Sequence, residues 1–398
     1  MKILQVNVRL SEGGAARIAQ TLERELELLG HESFFLYGYG HAGKKSEAHV
    51  NTKHYKYTSK FSAILNLISY RLLGHEFLLF SKFEEIKLRR IISKVDVVHL
   101  HAVHSYFLDY SILLKVLTKA EVPIVWTMHD QWVMTGRCAQ PGTCRSWVDG
   151  CLKCPDLNAY PPAYLDKAAR NFLTKRKSIR LLQMNSNLAI VSCAKWLEQE
   201  LKQAGFTNIT TITNSVDPQF HEALSSQSAE FAGDNLFVCR DLRDQNKVDW
   251  GLLEEISRID NQKLTVIGDH PLKFIPGVNF IPSSNSRDSM VSLYKSHQRL
   301  VFSSRVDYYP LTVIEALACG LEVYAIDSFA AQEFAWHPKM FIFDSAKEML
   351  NDLKTLHKSQ SSKNSLAARV DSDFSPRRMA IQYEQIYQEL LNRKLASK

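Results

Sequence analysis

The sequence predicts an α/β protein made of two Rossmann-like parallel-sheet domains facing a cleft. Three observations predict it. Short apolar runs rich in Val, Ile and Phe alternate with amphipathic helical stretches along the chain, the pattern of parallel sheets covered on both faces. The 398 residues exceed a single hydrophobic core and suit two domains of roughly 180–200 residues each. Residues able to do chemistry gather just after the apolar runs, where open parallel sheets bind their ligands.

Taken in order, strands are expected near 2–8, 33–40, 95–101, 123–129, 188–193 and 210–214. A second set is expected near 236–239, 263–268, 278–282, 300–304, 322–327 and 340–343. The tract around Pro218 and SSQSAEFAGDN has no strong period and reads as a linker. This divides the chain into a first domain over 1–214, a linker over 215–235, a second domain over 236–375 and a last helix over 376–398.

Composition narrows the class. The apolar fraction of 45% and charged fraction of 23% belong to an ordinary globular protein. No stretch approaches the ~20 apolar residues of a membrane span. The start, MKILQVNVRL, reads as a first strand and not as a signal peptide. The expectation is a cytoplasmic protein whose seven cysteines are thiols or metal ligands. The net charge of +7 is uneven: residues 1–200 carry 27 Lys+Arg against 18 Asp+Glu, or +9, and residues 201–398 carry 22 against 24, or −2. The first half is therefore expected to meet something anionic.

Residues 302–321, FSSRVDYYPLTVIEALACGL, hold the densest signal. A strand ends at Phe302, a polar loop carries Arg305 and Asp307, and Pro310 opens a helix that Gly320 stops. The amides of Leu311 and Thr312 then point from a positive helix end, where a diphosphate binds well. Asp307 and Glu315, eight apart, flank that anion site and can grip hydroxyls on either side of it. After the first strand, Gly13-Gly14 lets backbone approach a ligand at a helix start. This is not GxGxxG, which disfavours a nicotinamide or flavin site. His129 and Asp130 follow the 123–129 strand. Of His99, His101 and His104, strand alternation sends at least two apart. His99 reads as core, and His101 or His104 as an acceptor-side contact. After 236–239, Arg243 offers a fork and Lys247 a point charge to a diphosphate.

Cys138, Cys144, Cys151 and Cys154 fall in a Gly/Pro-containing loop over 136–157. In a reducing compartment this spacing favours a structural zinc over disulfides, with free thiols as the alternative. Cys193, Cys239 and Cys319 read as core. Residues 55–94, and KAARNFLTKRKSIR over 167–180, mix cations with bulky apolar side chains. They fit either an interfacial face on anionic lipid or ordinary sheet-covering helices. Asp371-Ser372-Asp373 mimics a metal-binding DxD but lies far from any strand end.

Together NVRLSEGGAA, YGYG, HSYFLD, WTMHDQWVMTGRCA, GCLKCPDLNAYPP, CRDLRDQNK and FSSRVDYYPL resemble the retaining glycosyltransferases of family 4. Within it the chain is similar to the colanic-acid biosynthesis glycosyltransferases and related exopolysaccharide or O-antigen enzymes, over about residues 2–335. The resemblance implies the two-sheet GT-B fold, with the C-terminal helix crossing back toward the first domain. It matches Asp307 and Glu315 to a donor-sugar motif of two glutamates, with Pro310 in place of a glycine. It matches Gly13-Gly14 to a loop between donor phosphate and acceptor, and Thr127-Met128-His129-Asp130 to a motif whose histidine touches the donor sugar. Arg243 and Lys247 match a cation pair normally five apart.

The implied donor-binding set is Gly13, Gly14, Arg243, Lys247, Asp307, Tyr309, Pro310, Leu311, Thr312 and Glu315, with catalytic roles for Asp307, His129, Arg243 and Lys247. The implied reaction is metal-independent transfer of a hexose, galactose from UDP-galactose first, with retention. Its implied acceptor is an undecaprenyl-pyrophosphate-linked oligosaccharide at the inner face of the cytoplasmic membrane, in exopolysaccharide, capsule or O-antigen synthesis, with no nucleic-acid partner. Asn214-Ser215-Val216-Asp217, for the usual Asn-Gly-Val-Asp, bears on donor identity. A GDP-sugar donor is the near alternative. A sugar-nucleotide epimerase or a non-enzymatic basic zinc-loop module is more remote.

Overall fold

A computed structural model describes residues 1–39, 53–74, 81–185, 187–222, 233–284, 286–355 and 373–396. The chain forms two compact units, Met1–Thr213 with Met379–Lys398, and Asn214–Arg378.

The first unit is built on β1 (Lys2–Arg9), β2 (Glu32–Tyr39), β3 (Lys53–Lys56), β4 (Val97–Leu100), β5 (Ile124–Met128), β6 (Leu188–Ser192) and β7 (Ile209–Thr211). They pair in parallel in the order β3-β2-β1-β4-β5-β6-β7. Ile3, Leu4 and Val6 of β1 are all buried because helices cover both faces of such a sheet. The helix Gly14–Leu28 turns Ala16, Ala19, Leu22 and Leu26 inward at helical spacing. Among these Ala19 meets Leu10, Phe35 and Tyr37.

The second unit is built on β8 (Gly233–Asp241), β9 (Leu264–Asp269), β10 (Asn279–Ile281), β11 (His297–Phe302), β12 (Glu322–Ile326) and β13 (Met340–Phe343). Their order is β10-β9-β8-β11-β12-β13, again all parallel. Phe237, Val266 and Tyr324 pack with Leu252, Leu253, Ile256 and Met349 in its core. Each sheet reverses its winding once, between β1 and β4 and between β8 and β11. Those two points are where such sheets hold ligands.

Several elements differ from the sequence expectation. β3, with the sequence KHYK, has no apolar run to announce it. It is an edge strand, held by pairing Phe34 with Lys53 and Leu36 with Tyr55. β11 begins three residues early, at His297, because its polar start finds partners inside the sheet. His297 Nε2 lies 2.8 Å from Thr265 Oγ1, and Arg299 Nε donates to Glu322 Oε2 at 3.3 Å. In the expected linker, Pro218–Glu222 is a short helix and β8 already starts at Gly233. Residues 223–232, residues 75–80 of the basic apolar tract, Gly40 of YGYG, and Asp371 and Ser372 lie outside the described residues. Among the described residues no helix is long and apolar enough to cross a membrane.

The last helix, Pro376–Ala396, joins the first unit from Met379 onward. Met379, Tyr383, Tyr387 and Leu390 form its buried stripe. The Tyr387 hydroxyl lies 2.6 Å from His99 Nδ1, and the Tyr383 hydroxyl 2.9 Å from Thr127 Oγ1. His99 Nε2 also meets Thr127 Oγ1, at 2.7 Å. His99 is thus the core residue its strand position suggested, fully buried with both ring nitrogens satisfied. Tyr387→Phe should orphan His99 Nδ1 and lower unfolding free energy by about 1–3 kcal/mol. Urea unfolding at neutral pH, with an unchanged m-value, checks this.

Candidate active site

In the second unit, β8 runs into a turn that ends at the helix Trp250–Ser257, capped by Asp249 accepting from Leu252 N at 3.0 Å. That turn is laced to the loop after β11. Arg305 N donates to Asn246 O at 2.9 Å, and Ser303 Oγ donates to Lys247 O at 2.8 Å. The lacing brings Lys247 Nζ to 2.6 Å from Asp307 Oδ1, directly at the switch point. Burial works against the Lys247 ammonium, yet the Asp307 carboxylate outweighs it and holds the pKa above the usual lysine value. The cation therefore stays charged in a site only about a quarter exposed.

Arg243 is placed differently. Its Nε and Nη2 donate to Asp241 at 2.9 and 2.7 Å, forming a pair on the surface of its own turn. Hydrogen bonding from Arg243 brings the Asp241 carboxyl down to about 2. The structure brings Lys247 to Asp307 and leaves Arg243 with Asp241.

Pro310 is the N-cap itself, with φ −67° and ψ 121°, one residue before the first helical residue of Leu311–Ala318. The amides of Leu311, Thr312 and Val313 form the positive first turn beyond it. Glu315 lies a turn inside and is buried, accepting from the Tyr294 hydroxyl at 3.2 Å. Tyr309 is buried against Phe334, with ring centroids 4.7 Å apart, and its carbonyl accepts from Asn214 Nδ2 at 3.2 Å. Asp217 Oδ2 accepts from Arg287 Nε at 2.8 Å. Sequence reasoning missed Tyr294 and Arg287. Both lie on the Arg287–Lys295 helix, whose residues no strand end or turn motif singles out.

In the first unit, Gly13 caps the helix after β1 with φ 98°, a left-handed conformation that glycine adopts without strain. Gly14 is the first helical residue, so its amide faces outward from the turn. His129 and Asp130 follow β5 beside a recess also lined by His101, His104 and Trp132. His101 Nδ1 lies 2.9 Å from His129 Nε2, and His104 Nε2 lies 2.8 Å from Asp130 Oδ2. Both open candidates among the histidines thus meet the 129–130 pair. Burial pushes His129 down to about 4, against the pull of Asp130. Burial also holds His99 and His101 well below the usual histidine value.

The cysteine loop is organised by two buried cations. Arg137 donates to the carbonyls of Asp156 and Leu157 at 2.9 Å and of Ala159 at 3.1 Å. Lys175 Nζ donates to Thr135 O at 3.0 Å and sits 3.8 Å over the Trp132 ring. Cys151 Sγ accepts from Gly136 N at 3.2 Å, Cys144 Sγ meets Ser146 Oγ at 3.4 Å, and Cys154 Sγ meets Asp156 O at 3.2 Å. Burial, with Cys151 and Cys154 nearby, pushes the Cys138 thiol up to about 11. Among the described residues no three His, Cys, Asp or Glu are grouped to hold a metal ion.

A family model, Glycosyltransferase Family 4, matches residues 12–220. The chain belongs to this family. It is 34% identical over 352 residues to the colanic acid biosynthesis glycosyl transferase WcaC of Escherichia coli (strain K12), covering 84% of this chain and 85% of that protein. Among solved structures, sucrose-phosphate synthase from Thermosynechococcus elongatus matches with TM-score 0.62 at 14% identity, covering 98% of this family 4 chain and 99% of that one. HepE of Anabaena, solved with UDP and glucose, matches with TM-score 0.63 at 13% identity over 97% and 98%. The two parallel-sheet units of this family 4 glycosyltransferase are those of the GT-B fold.

The neutral buried histidines give the protein a pH signature. A histidine charged in the unfolded chain but neutral when folded makes the unfolded state bind more protons. Stability is then intact above pH ~6.5 and falls below it, by up to about 1.4 kcal/mol per pH unit for each such group. His54, raised by its hydrogen bond to Glu23, runs the other way and supports stability below pH ~6.5. Denaturant unfolding at pH 7.5, 6.5 and 5.5 should show a net fall with acid, and His101→Asn should flatten it.

Proposed function

We propose that this glycosyltransferase moves a hexose, galactose from UDP-galactose first, onto a lipid-linked oligosaccharide during colanic-acid-type exopolysaccharide synthesis. The observation carrying the reading is the Lys247–Asp307 contact at the switch point of the second sheet, beside the free amides of Leu311 and Thr312. A departing nucleotide diphosphate develops negative charge, and preorganised cations and helix amides stabilise such charge best. Lys247 and the helix N-terminus take that role, Asp307 holds a sugar hydroxyl and Glu315 the ribose. With the leaving group so stabilised, the acceptor hydroxyl approaches the face the diphosphate leaves, which retains configuration, and the phosphate itself accepts the proton. HepE, solved with UDP and glucose, supports a uridine donor. The similarity to WcaC supports the pathway.

Membrane contact belongs to the same reading. Phe61, Ile64, Ile68 and Leu72 stand 72%, 56%, 48% and 55% exposed along the helix Lys60–Leu73. Their spacing makes one apolar stripe, with Arg71 in the last turn. Phe83 and Ile86 are also exposed, on the helix Ser81–Ile92, which carries Lys87, Arg89 and Arg90. Apolar side chains edged by cations suit an anionic lipid surface, where a lipid-linked acceptor resides.

Thermal unfolding with UDP, UDP-galactose, UDP-glucose and GDP tests the donor. A ligand at a hundredfold excess over its dissociation constant should add about 2.7 kcal/mol. UDP-sugars should stabilise the protein, and Lys247→Met should abolish most of the effect and lower turnover by roughly 10²–10³-fold. Stabilisation by GDP alone would overturn the donor, and no response to any nucleotide would overturn the whole reading. For the membrane, co-sedimentation with vesicles of anionic phospholipid should retain the wild type, lose the double variant Ile64→Asp, Ile68→Asp, and weaken with salt. Equal retention of both proteins would remove this face from consideration.

A further inference from the structure

His129 is the end of a hydrogen-bond chain that begins on another strand. Gln5 of β1 is fully buried, and its Oε1 lies 2.6 Å from His101 Nε2. His101 Nδ1 in turn lies 2.9 Å from His129 Nε2, and the two rings stack with centroids 5.2 Å apart. This chain has a direction. An amide oxygen only accepts, so the proton of that first contact is on His101 Nε2. A neutral imidazole carries one N–H, so His101 Nδ1 is an acceptor and His129 must donate from Nε2. By the same rule His129 Nδ1 bears a lone pair.

The neighbours keep these rings neutral. His99 stacks on His101 at 4.2 Å, taking partners in Thr127 and Tyr387, with Tyr383 behind. None of these supplies a charge. The acid acting on His129 is Asp130, whose Oδ2 is occupied by His104 and whose Oδ1 accepts from Trp132 N at 2.9 Å. Burial of the three histidines outweighs it.

Gln5 is an odd choice for packing alone. Its Nε2 is buried with no partner among the described residues. Such an orphan is costly, and a leucine would avoid it.

We infer that Gln5 and His101 are positioning residues that hold His129 in its Nε2–H tautomer, presenting Nδ1 to accept a hydrogen bond from a sugar hydroxyl. The tautomer stands on the contacts of Gln5, His101 and His129 and on the burial that keeps His101 neutral. Only the owner of the hydroxyl rests on the function proposed above.

The test is a long-range ¹H–¹⁵N spectrum of the full chain labelled at histidine, at pH 7.5 and downward, beside the pH profile of turnover. In the wild type His129 should report a single neutral Nε2–H form, unchanged to about pH 5, and turnover should show no inflection near 6.5 from this ring. Gln5→Glu sets a carboxylate against His101 Nε2 and favours the doubly protonated ring. His101 then donates from Nδ1, and His129 must switch to Nδ1–H. Turnover should fall roughly 10–100-fold with little change in donor KM. The loss should deepen as pH falls, since acid charges His101. Gln5→Leu, which adds no charge, should keep the fold by urea unfolding but show both His129 tautomers. An Nδ1–H form in the wild type would overturn the inference. So would a Gln5→Leu spectrum with the wild-type tautomer alone, or a Gln5→Glu protein with unchanged spectrum and profile. Should the donor reading fail, the spectra still decide the tautomer without turnover.

Discussion

A parallel strand finishes at the opposite end of the sheet from where its neighbour must start, so every connection is a crossover. That constraint governs the whole molecule. It sends the loops that follow the strands of a sheet to one edge, and it brings residues of distant loops together where the winding reverses. Lys247 and Asp307 are sixty residues apart and meet there. Gln5 and His101 are separated by ninety-six residues and meet at the equivalent place in the first sheet. In neither case does a local turn supply the contact. The sheet order does, by setting β1 beside β4 and β8 beside β11.

The two sites use opposite electrostatics at that shared position. In the second unit a cation is kept charged by an acid at contact distance, in a partly shielded place where its field is strong. In the first unit burial removes charge from three stacked rings, and what remains is directional hydrogen bonding. One arrangement suits a ligand that carries charge and the other a ligand that carries hydroxyls.

What could be read from the chain follows from the range of each interaction. Strands announced by apolar runs were legible because burial on both faces leaves no room for alternation, as in Ile3 to Val6. The helix behind Pro310 was legible because capping is a matter of neighbouring residues, although the proline sits one place further out than expected. β3 was not legible, since KHYK is stabilised by its partner strand and not by its own composition. Nor was the fate of Arg243, which depends on Asp241 winning it two residues away. Tyr294 beneath Glu315, and the carbonyls that gather on Arg137, depend on contacts of twenty residues or so between groups with no motif. The four cysteines were conspicuous by spacing, but the loop around them rests on Arg137 and Lys175.

The helix Pro376–Ala396 makes the first unit depend on residues that follow the second. Its residues Tyr383 and Tyr387 supply the hydroxyls that His99 and Thr127 need inside the first sheet. Domains generally fold as units, the N-terminal one first during synthesis. Here His99 and Thr127, in strands made early, wait for Tyr383 and Tyr387, made after the whole second unit, before their buried polar groups are satisfied. The first unit is thus sealed only after the second has been made. A chain cut before Tyr383 would hold a first unit with His99 and Thr127 short of these partners, and not a finished domain with a tail missing.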